Sequence, residues 1–306
     1  MRGGFEAVGG VDLHAGSCMP LPPCITAHTT IHKNPDQPME PAMSSSRDLA
    51  IAFTEARRAA RALPDYPGTL PPDLPTAYAV QEEALGLWTD ALVGWKVAGI
   101  AETWRPRYDA PRLAGPVFAR NFRDARERRV ETPVIRGGFG AVEAEFVLRI
   151  GRDIPAEARP RTLDEMRPFV AAVHAGMEIA GSPLATLNDL GPGAVASDFG
   201  NNAGLVLGPE IPAWDSRAPS DWTVRMRVDG EVVGEGSAAR VAGGGPIASL
   251  AFLAEHLGRR GRDLPAGSWV LTGMTTGVHV VKPGDRAEAE FDGVGAVDVL
   301  ITAAVG

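Results

Sequence analysis

The stretch Ala141–Pro155, AVEAEFVLRIGRDIP, decides the reading of this chain. Its apolar residues and β-branched content predict a strand over Val142–Ile150. Residues two apart on a strand face the same way, so Glu143 and Glu145 project side by side among Val142, Ala144, Phe146 and Val147. Two adjacent like charges on an apolar strand are unfavourable unless a cation sits between them. Mg²⁺ and Mn²⁺ prefer oxygen ligands and suit that position. On spacing alone the plainer reading, an exposed face with two solvated carboxylates, is favoured, because charged side chains mostly face water. Glu178, in HAGMEIAGSP (His174–Pro183), changes the balance. It is a third carboxylate among small and apolar neighbours, and an isolated buried carboxylate is costly. A metal site completed by Glu178 accounts for all three.

Lys96 is the only charged residue in the strand candidate VGWKVAGI (Val93–Ile100). A buried lysine pairs with a carboxylate or shifts its pKa, and both suit acid–base chemistry. A lysine snorkelling from a strand end fits that segment equally well.

Working outward, further strands are predicted at Gly94–Ala98, Gly204–Leu207, Thr223–Val228, Val232–Gly236, Trp269–Thr272, Ala287–Phe291 and Ala296–Ile301. Asp229-Gly230 signals a type I′ hairpin between two of them. Helices are predicted over Asp48–Leu63, over Thr76–Trp88 with Thr76 as N-cap, from the capping box Thr162–Glu165, and over GPIASLAFLAEHLGRR. His174 is read as a packing or surface residue on a helix leading to Glu178, and His279 as a residue near the Thr-rich loop that could line a pocket. The reading divides the chain into a disordered extension (1–42), a helical N-terminal part (43–135) and a β-rich metal-binding catalytic domain (136–306). Met43 followed by Ser44–Ser46 reads as a natural start. The glycines at 243–245 lack dinucleotide-fingerprint spacing, and DFG at 198–200 lacks the other kinase segments.

The bulk numbers exclude several classes. A chain of 306 residues with 44% hydrophobic and 22% charged residues has the composition of a globular protein. A net charge of −8 argues against nucleic-acid or anionic-membrane partners. The two cysteines, Cys18 and Cys24, fit no zinc spacing and would staple only a short segment. With no apolar run long enough for a span and no secretory pattern, the expected compartment is the cytoplasm.

Together these segments resemble the fumarylacetoacetate hydrolase superfamily, and within it the branch of 2-keto-4-pentenoate hydratases and 4-oxalocrotonate decarboxylases. The resemblance is carried by GWKVAGI, VEAEFVLRIGRDI, MEIAGSP, DFGNNAGLVLG, VVGEGSAA, the 245–260 helix and VLTGMTTGVHVVKPGD, in that order. It implies an α+β fold: a mixed β-roll catalytic domain with a smaller helical N-terminal part. It implies Glu143, Glu145 and Glu178 as ligands of Mg²⁺ or Mn²⁺, Lys96 as general acid–base, Thr275 or Thr276 as hydroxyl donors to a substrate carboxylate, and a homo-oligomer. The implied substrate is a small 2-oxo acid, whose carboxylate and keto oxygen chelate the metal and whose enolate the metal stabilises. The implied reaction is hydration of a 2-hydroxy-2,4-dienoate to a 4-hydroxy-2-oxo acid. Three alternatives stand beside it: decarboxylation of a 2-oxo diacid, C–C hydrolysis of an acylpyruvate, and a non-catalytic metal-binding protein. The absence of any histidine between His32 and His174 opposes the hydrolase. One departure concerns hydration itself. Where hydratases of this branch carry Pro-Asp-(Tyr or Phe)-Gly, this chain has Ala110-Pro111-Arg112-Leu113-Ala114-Gly115, with Asp109 out of register.

Overall fold

Two helices open the described part of the chain, residues 44–306 of a computed structural model. Helix α1 (Ser46–Arg58) starts from a capping box in which the Ser45 side chain and Asp48 satisfy each other's backbone N–H groups. It ends five residues before the expected Leu63, where Ala60 takes a left-handed φ of 47°. Helix α2 (Leu74–Leu87) is capped by Asp73, which accepts from the Thr76 backbone, so the cap lies three residues before the one expected. Both helices bury one face: Leu49, Ala50, Val80 and Ala84 meet Phe118 and Phe199.

The chain then becomes β-rich. Its strands are β1 (Leu92–Gly99), β2 (Arg112–Phe118), β3 (Phe122–Asp124), β4 (Val130–Val134), β5 (Phe139–Ile150), β6 (Val170–Ser182), β7 (Asn202–Glu210), β8 (Thr223–Val228), β9 (Glu231–Ser237), β10 (Trp269–Leu271), β11 (His279–Val280), β12 (Arg286–Phe291) and β13 (Gly295–Ala303). Four helices interrupt them: α3 (Arg105–Tyr108), α4 (Leu163–Met166), α5 (Pro192–Ser197) and α6 (Pro246–Arg259). One sheet runs β2-β1-β10-β5-β6-β7-β3, with β11 also on β5, and the other runs β4-β13-β12-β8-β9. Their inner faces meet: Phe146 of β5 packs on Phe291 of β12 at 5.4 Å between ring centroids. The Asp229-Gly230 turn has both residues at positive φ, 49° and 86°, as a type I′ hairpin requires. The α+β fold expected from the sequence is observed.

Three expectations are corrected. Residues 92–134 are mostly not helical: the one-turn α3 is their single α-helix. They supply β1–β4, which pair with strands from 202–210, 269–271 and 295–303, so residue 135 marks no boundary between sheets. The described residues lie within one compact unit, Met43–Gly306. Second, His174 and Glu178 lie on strand β6, not on a helix. Third, α4 is one turn long, although its Thr162–Glu165 capping box forms as read. The expectation of disorder for 1–42 lies outside the described residues, as do Cys18 and Cys24. No described helix is long and apolar enough to cross a membrane.

A buried ion pair ties α1 to the sheet. Arg57 Nε donates to Asp198 Oδ1 at 2.6 Å and Nη2 to Asp198 Oδ2 at 2.9 Å, with further bonds to the Gly181 and Asn202 carbonyls. Ser182 Oγ donates to the same carboxylate at 2.6 Å. Removing one partner strands a buried charge, a loss of about 3 kcal/mol or more. Arg57→Ala is therefore expected to lower the urea midpoint by that equivalent, and an unchanged midpoint would refute the staple.

His256 on α6 supplies a pH test. Burial first, then Arg260 and Arg259, push its pKa down to about 3, and Arg260 Nη1 lies 3.1 Å from Nε2, which accepts in the neutral ring. The folded pKa is below the unfolded value of ~6.5. The unfolded chain thus binds the extra proton between those values, and this stabilisation, complete above ~6.5, is lost as pH falls toward 3. His256→Gln is expected to flatten the pH dependence of unfolding free energy between pH 6 and 4 by up to ~1.4 kcal/mol per unit. Superimposable slopes for the two proteins would remove His256 from the account.

Candidate metal and acid–base centre

The register of three strands builds the site. In the antiparallel pair β5–β6, Glu143 stands directly opposite Glu178 and Glu145 opposite Gly176. A Cβ at Gly176 would lie 2.3 Å from Val147 Cγ2, so only glycine lets β6 pass this close to the face that carries Glu145. Strand β10 lies between β1 and β5, with Leu271 paired to both Lys96 and Val147. It ends there. The next residues turn back over β5, where the Gly273 N–H donates to Glu145 Oε2 at 2.8 Å. The Thr272 and Thr275 hydroxyls donate to the Phe146 and Ala144 carbonyls at 2.8 and 2.7 Å.

Glu143, Glu145, Glu178 and Lys96 are all buried, Glu145 and Glu178 completely. One oxygen from each of the three carboxylates falls within 4.8 Å of the others. Lys96 Nζ is 3.3 Å from Glu178 Oε2, and Asn202 Nδ2 donates to Glu178 Oε1 at 2.9 Å. One ammonium faces three carboxylates, and the pKa directions follow from that imbalance. Burial, then Glu178, push Glu143 up to about 7. Burial, then Glu178 and Glu143, push Glu145 well above the usual carboxylate range. For Lys96 burial acts downward, but Glu178, Glu143 and Glu145 outweigh it and hold the ammonium above the ordinary lysine range.

These residues fit a divalent cation. Glu145 Oε1 is buried without a hydrogen-bond partner among the described residues, and Glu178 Oε2 has only the Lys96 ammonium beside it. An all-oxygen donor set with excess negative charge suits a hard ion and leaves room for exogenous ligands.

Lys96 and Glu143 form the floor of a cavity of about 230 Å³. Its walls include Ile100, Trp104, Leu113, Val195 and Met274, with Asn188 and Asn201 as polar members. Of the residues read from sequence, the structure thus brings together Lys96, Glu143, Glu145 and Glu178. Thr275 is different: its hydroxyl proton is committed to Ala144, so it fixes the loop and has none to donate to a ligand. Thr276 Oγ1 lies 3.3 Å from His279 Nε2, and neither residue is among those lining the cavity. His174 is a packing residue: Nδ1 lies 3.2 Å from the Gly208 carbonyl and the ring sits edge-on to Trp269. Asn202, Asn201 and the Gly273 N–H went unread, since their only sequence signal is an Asn pair and a glycine in irregular loops.

Mg²⁺ or Mn²⁺ is expected to raise the melting temperature of the wild-type protein, because a ligand that binds only the folded state stabilises it. Glu145→Gln and Glu178→Gln should remove most of that rise. A full metal-dependent rise in both variants would refute the three-carboxylate site.

Comparison with known proteins assigns the family and the fold. The family described as fumarylacetoacetate (FAA) hydrolase C-terminal matches residues 117–302, more than half of the chain. A 4-oxalocrotonate decarboxylase of Pseudomonas putida is 42% identical over 74 residues, 24% of this chain and 28% of that protein. A 2-keto-4-pentenoate hydratase of Dechloromonas aromatica (strain RCB) is 33% identical over 159 residues, 52% of this chain and 59% of that protein. The matched region thus spans about a quarter to three-fifths of these relatives' length. In structure, the 4-oxalocrotonate decarboxylase from Pseudomonas putida G7, complexed with magnesium and adipate, superposes with a TM-score of 0.70 at 21% identity, over 84% of this chain and 97% of that one. This chain belongs to the fumarylacetoacetate hydrolase C-terminal family.

Proposed function

We propose that this protein is a divalent-metal-dependent lyase that hydrates a 2-hydroxy-2,4-dienoate to a 4-hydroxy-2-oxo acid, and that it works as a homo-oligomer. The observation that carries the proposal is the buried cluster of Glu143, Glu145 and Glu178 with Lys96 at the floor of an otherwise mostly apolar cavity. The hydratase relatives across half of the chain support the same reaction class.

Mg²⁺ or Mn²⁺, held by the three carboxylates, would supply Lewis acidity to the carboxylate and keto oxygens of a 2-oxo acid. The chain's own residues supply the rest. Lys96 holds a proton at Nζ, 3.3 Å from Glu178, and faces the cavity. From there it donates a proton to the carbon chain and recovers one from the substrate hydroxyl. Asn202 and the Gly273 N–H fix the orientation of Glu178 and Glu145. The walls of Ile100, Trp104, Leu113, Val195 and Met274 keep competing water off the reacting carbons.

Two features of the cavity bear on the choice of substrate. Among its described lining residues Lys96 is the only cation, so the far wall offers nothing to pair with a second carboxylate. This favours a monoacid. Leu113 points the other way: it lines the cavity in the segment where a water-activating acid was sought. That observation favours the second reading, decarboxylation of a 2-oxo diacid, which needs no activated water.

The deciding assay follows the ultraviolet absorbance of 2-hydroxypenta-2,4-dienoate with Mg²⁺ or Mn²⁺ and weighs the product. A metal-dependent loss of the dienol with gain of one water is expected, and Lys96→Ala should slow it about 10²–10⁴-fold. Loss of carbon dioxide from 4-oxalocrotonate with no hydration would establish the second reading. Unchanged turnover in Lys96→Ala would remove Lys96 from the mechanism.

A further inference from the structure

The connection from α5 to β7 carries a feature the metal centre does not explain. Phe199, Gly200 and Asn201 take left-handed φ values of 53°, 66° and 64° in succession. For the two non-glycine residues this conformation is strained, and such strain persists only where the surroundings impose it. Here the constraint is strand β2. A Cβ on Gly115 would lie 2.1 Å from the Phe199 carbonyl oxygen, so the turn sits directly on the strand at Gly115. Gly115 is the partner of Lys96 in the β1–β2 register. The turn is thus anchored next to the acid–base lysine.

It delivers two amides, one to Glu178 and one to the cavity. Asn202 donates to Glu178 at 2.9 Å. Asn201 lines the cavity and is 5% exposed. Its Nδ2 donates to Asn188 Oδ1 at 3.3 Å, while its Oδ1 is buried with no hydrogen-bond partner among the described residues. A buried acceptor left unpaired is unfavourable. The cavity walls beside it are apolar, and the charged floor is occupied by the lysine and the carboxylates.

We infer that Asn201 is a substrate-contacting residue whose amide oxygen accepts from a hydroxyl, that of the adding water or of the C4 alcohol it becomes, and that it thereby makes the cavity specific for a 2-oxo acid with an uncharged hydroxyl on its chain. The inference deepens the hydratase reading and rests on it. It also meets the difficulty raised by Leu113. An amide cannot take a proton, so Asn201 holds the water oxygen in line with C4 while protons pass elsewhere. The atoms balance as one water. The dienol hydroxyl proton is carried by Lys96 to C5, leaving 2-oxopent-3-enoate. The water oxygen then bonds C4, and the proton it releases ends on C3 as the C3–C4 double bond is lost.

The test compares binding of 4-hydroxy-2-oxopentanoate with that of 2-oxopentanoate, which lacks only the hydroxyl, by calorimetry in excess Mg²⁺. Asn201→Gly keeps the left-handed backbone open and removes the amide. The wild-type protein should bind the hydroxy acid about tenfold or more tightly than the deoxy acid, and Asn201→Gly should reduce the ratio to about one. An equal affinity in the wild-type protein, or a preserved preference in Asn201→Gly, overturns the inference. So does a variant that loses both ligands in parallel, because that marks a structural role. Deuterium uptake at C3 of 2-oxopentanoate in heavy water separates this result from the reading beneath it. Uptake requires proton transfer at the 2-oxo acid but no hydroxyl contact. A hydroxyl preference without uptake in the wild-type protein sinks the lyase and retains Asn201 as a binding residue. Uptake without a hydroxyl preference sinks the role of Asn201 and retains the proton chemistry.

Discussion

Three carboxylates and one ammonium are buried together between strands, and the rest of the structure is arranged around that imbalance. Desolvated like charges at this spacing cannot all ionise unaided, which is why Glu143 is pushed up to about 7 and Glu145 well above its usual range. A sheet selected for stability alone would place aliphatic residues at these positions, as it does at Val147, Leu205 and Leu271 of the neighbouring apolar cluster. The carboxylates are therefore a local cost, and the surrounding backbone is organised to tolerate it. Gly176 allows β6 to close on β5, β10 stops at Leu271, and the returning loop supplies one N–H to Glu145.

That tolerance depends on rigid supports at some distance from the site. The Arg57–Asp198–Ser182 network holds α1 against the end of β6 and the start of the α5–β7 connection. The same connection carries Asn201 and leads directly into Asn202 at the start of β7. A buried ion pair is weak evidence for stability in itself, because desolvation offsets much of its attraction. Here its geometry points to a positional role. It pins the segment that must bring one amide to Glu178 and another to the cavity, and small displacements of such groups weaken both contacts.

How far the sequence could be read follows from the same physics. Glu143, Glu145 and Lys96 were legible because charge interrupts an apolar strand pattern, and a costly residue in such a place asks for a reason. Strand β6 was not legible as a strand. Its residues VAAVHAGMEIAGS are buried on both faces over most of its length, so the alternation that marks a half-buried strand is missing and the small residues suit a helix equally well. Strand β2 was hidden by Gly115 and Pro116, which read as loop punctuation. Gly115 is required by a close contact: β2 supports the 199–201 turn at that residue. Thr275 was found for the wrong purpose. A threonine in a glycine-bounded loop looks like a ligand donor, and only the coordinates reveal that its hydroxyl is used on Ala144.

The asymmetry of the cavity carries the argument to its end. Its floor concentrates charge, and its walls are apolar except for an amide pair. A floor of that kind grips the 2-oxo carboxylate end of a substrate, which every reaction considered for this fold shares. Discrimination among those reactions must therefore come from the walls. A second carboxylate would meet Ile100, Trp104, Leu113 or Met274 without a counter-ion, and its desolvation would go unmatched. A hydroxyl would meet an acceptor that otherwise has no partner among the described residues. On the reading proposed above, it is the walls, more than the metal ligands, that would discriminate between hydration of a monoacid and decarboxylation of a diacid.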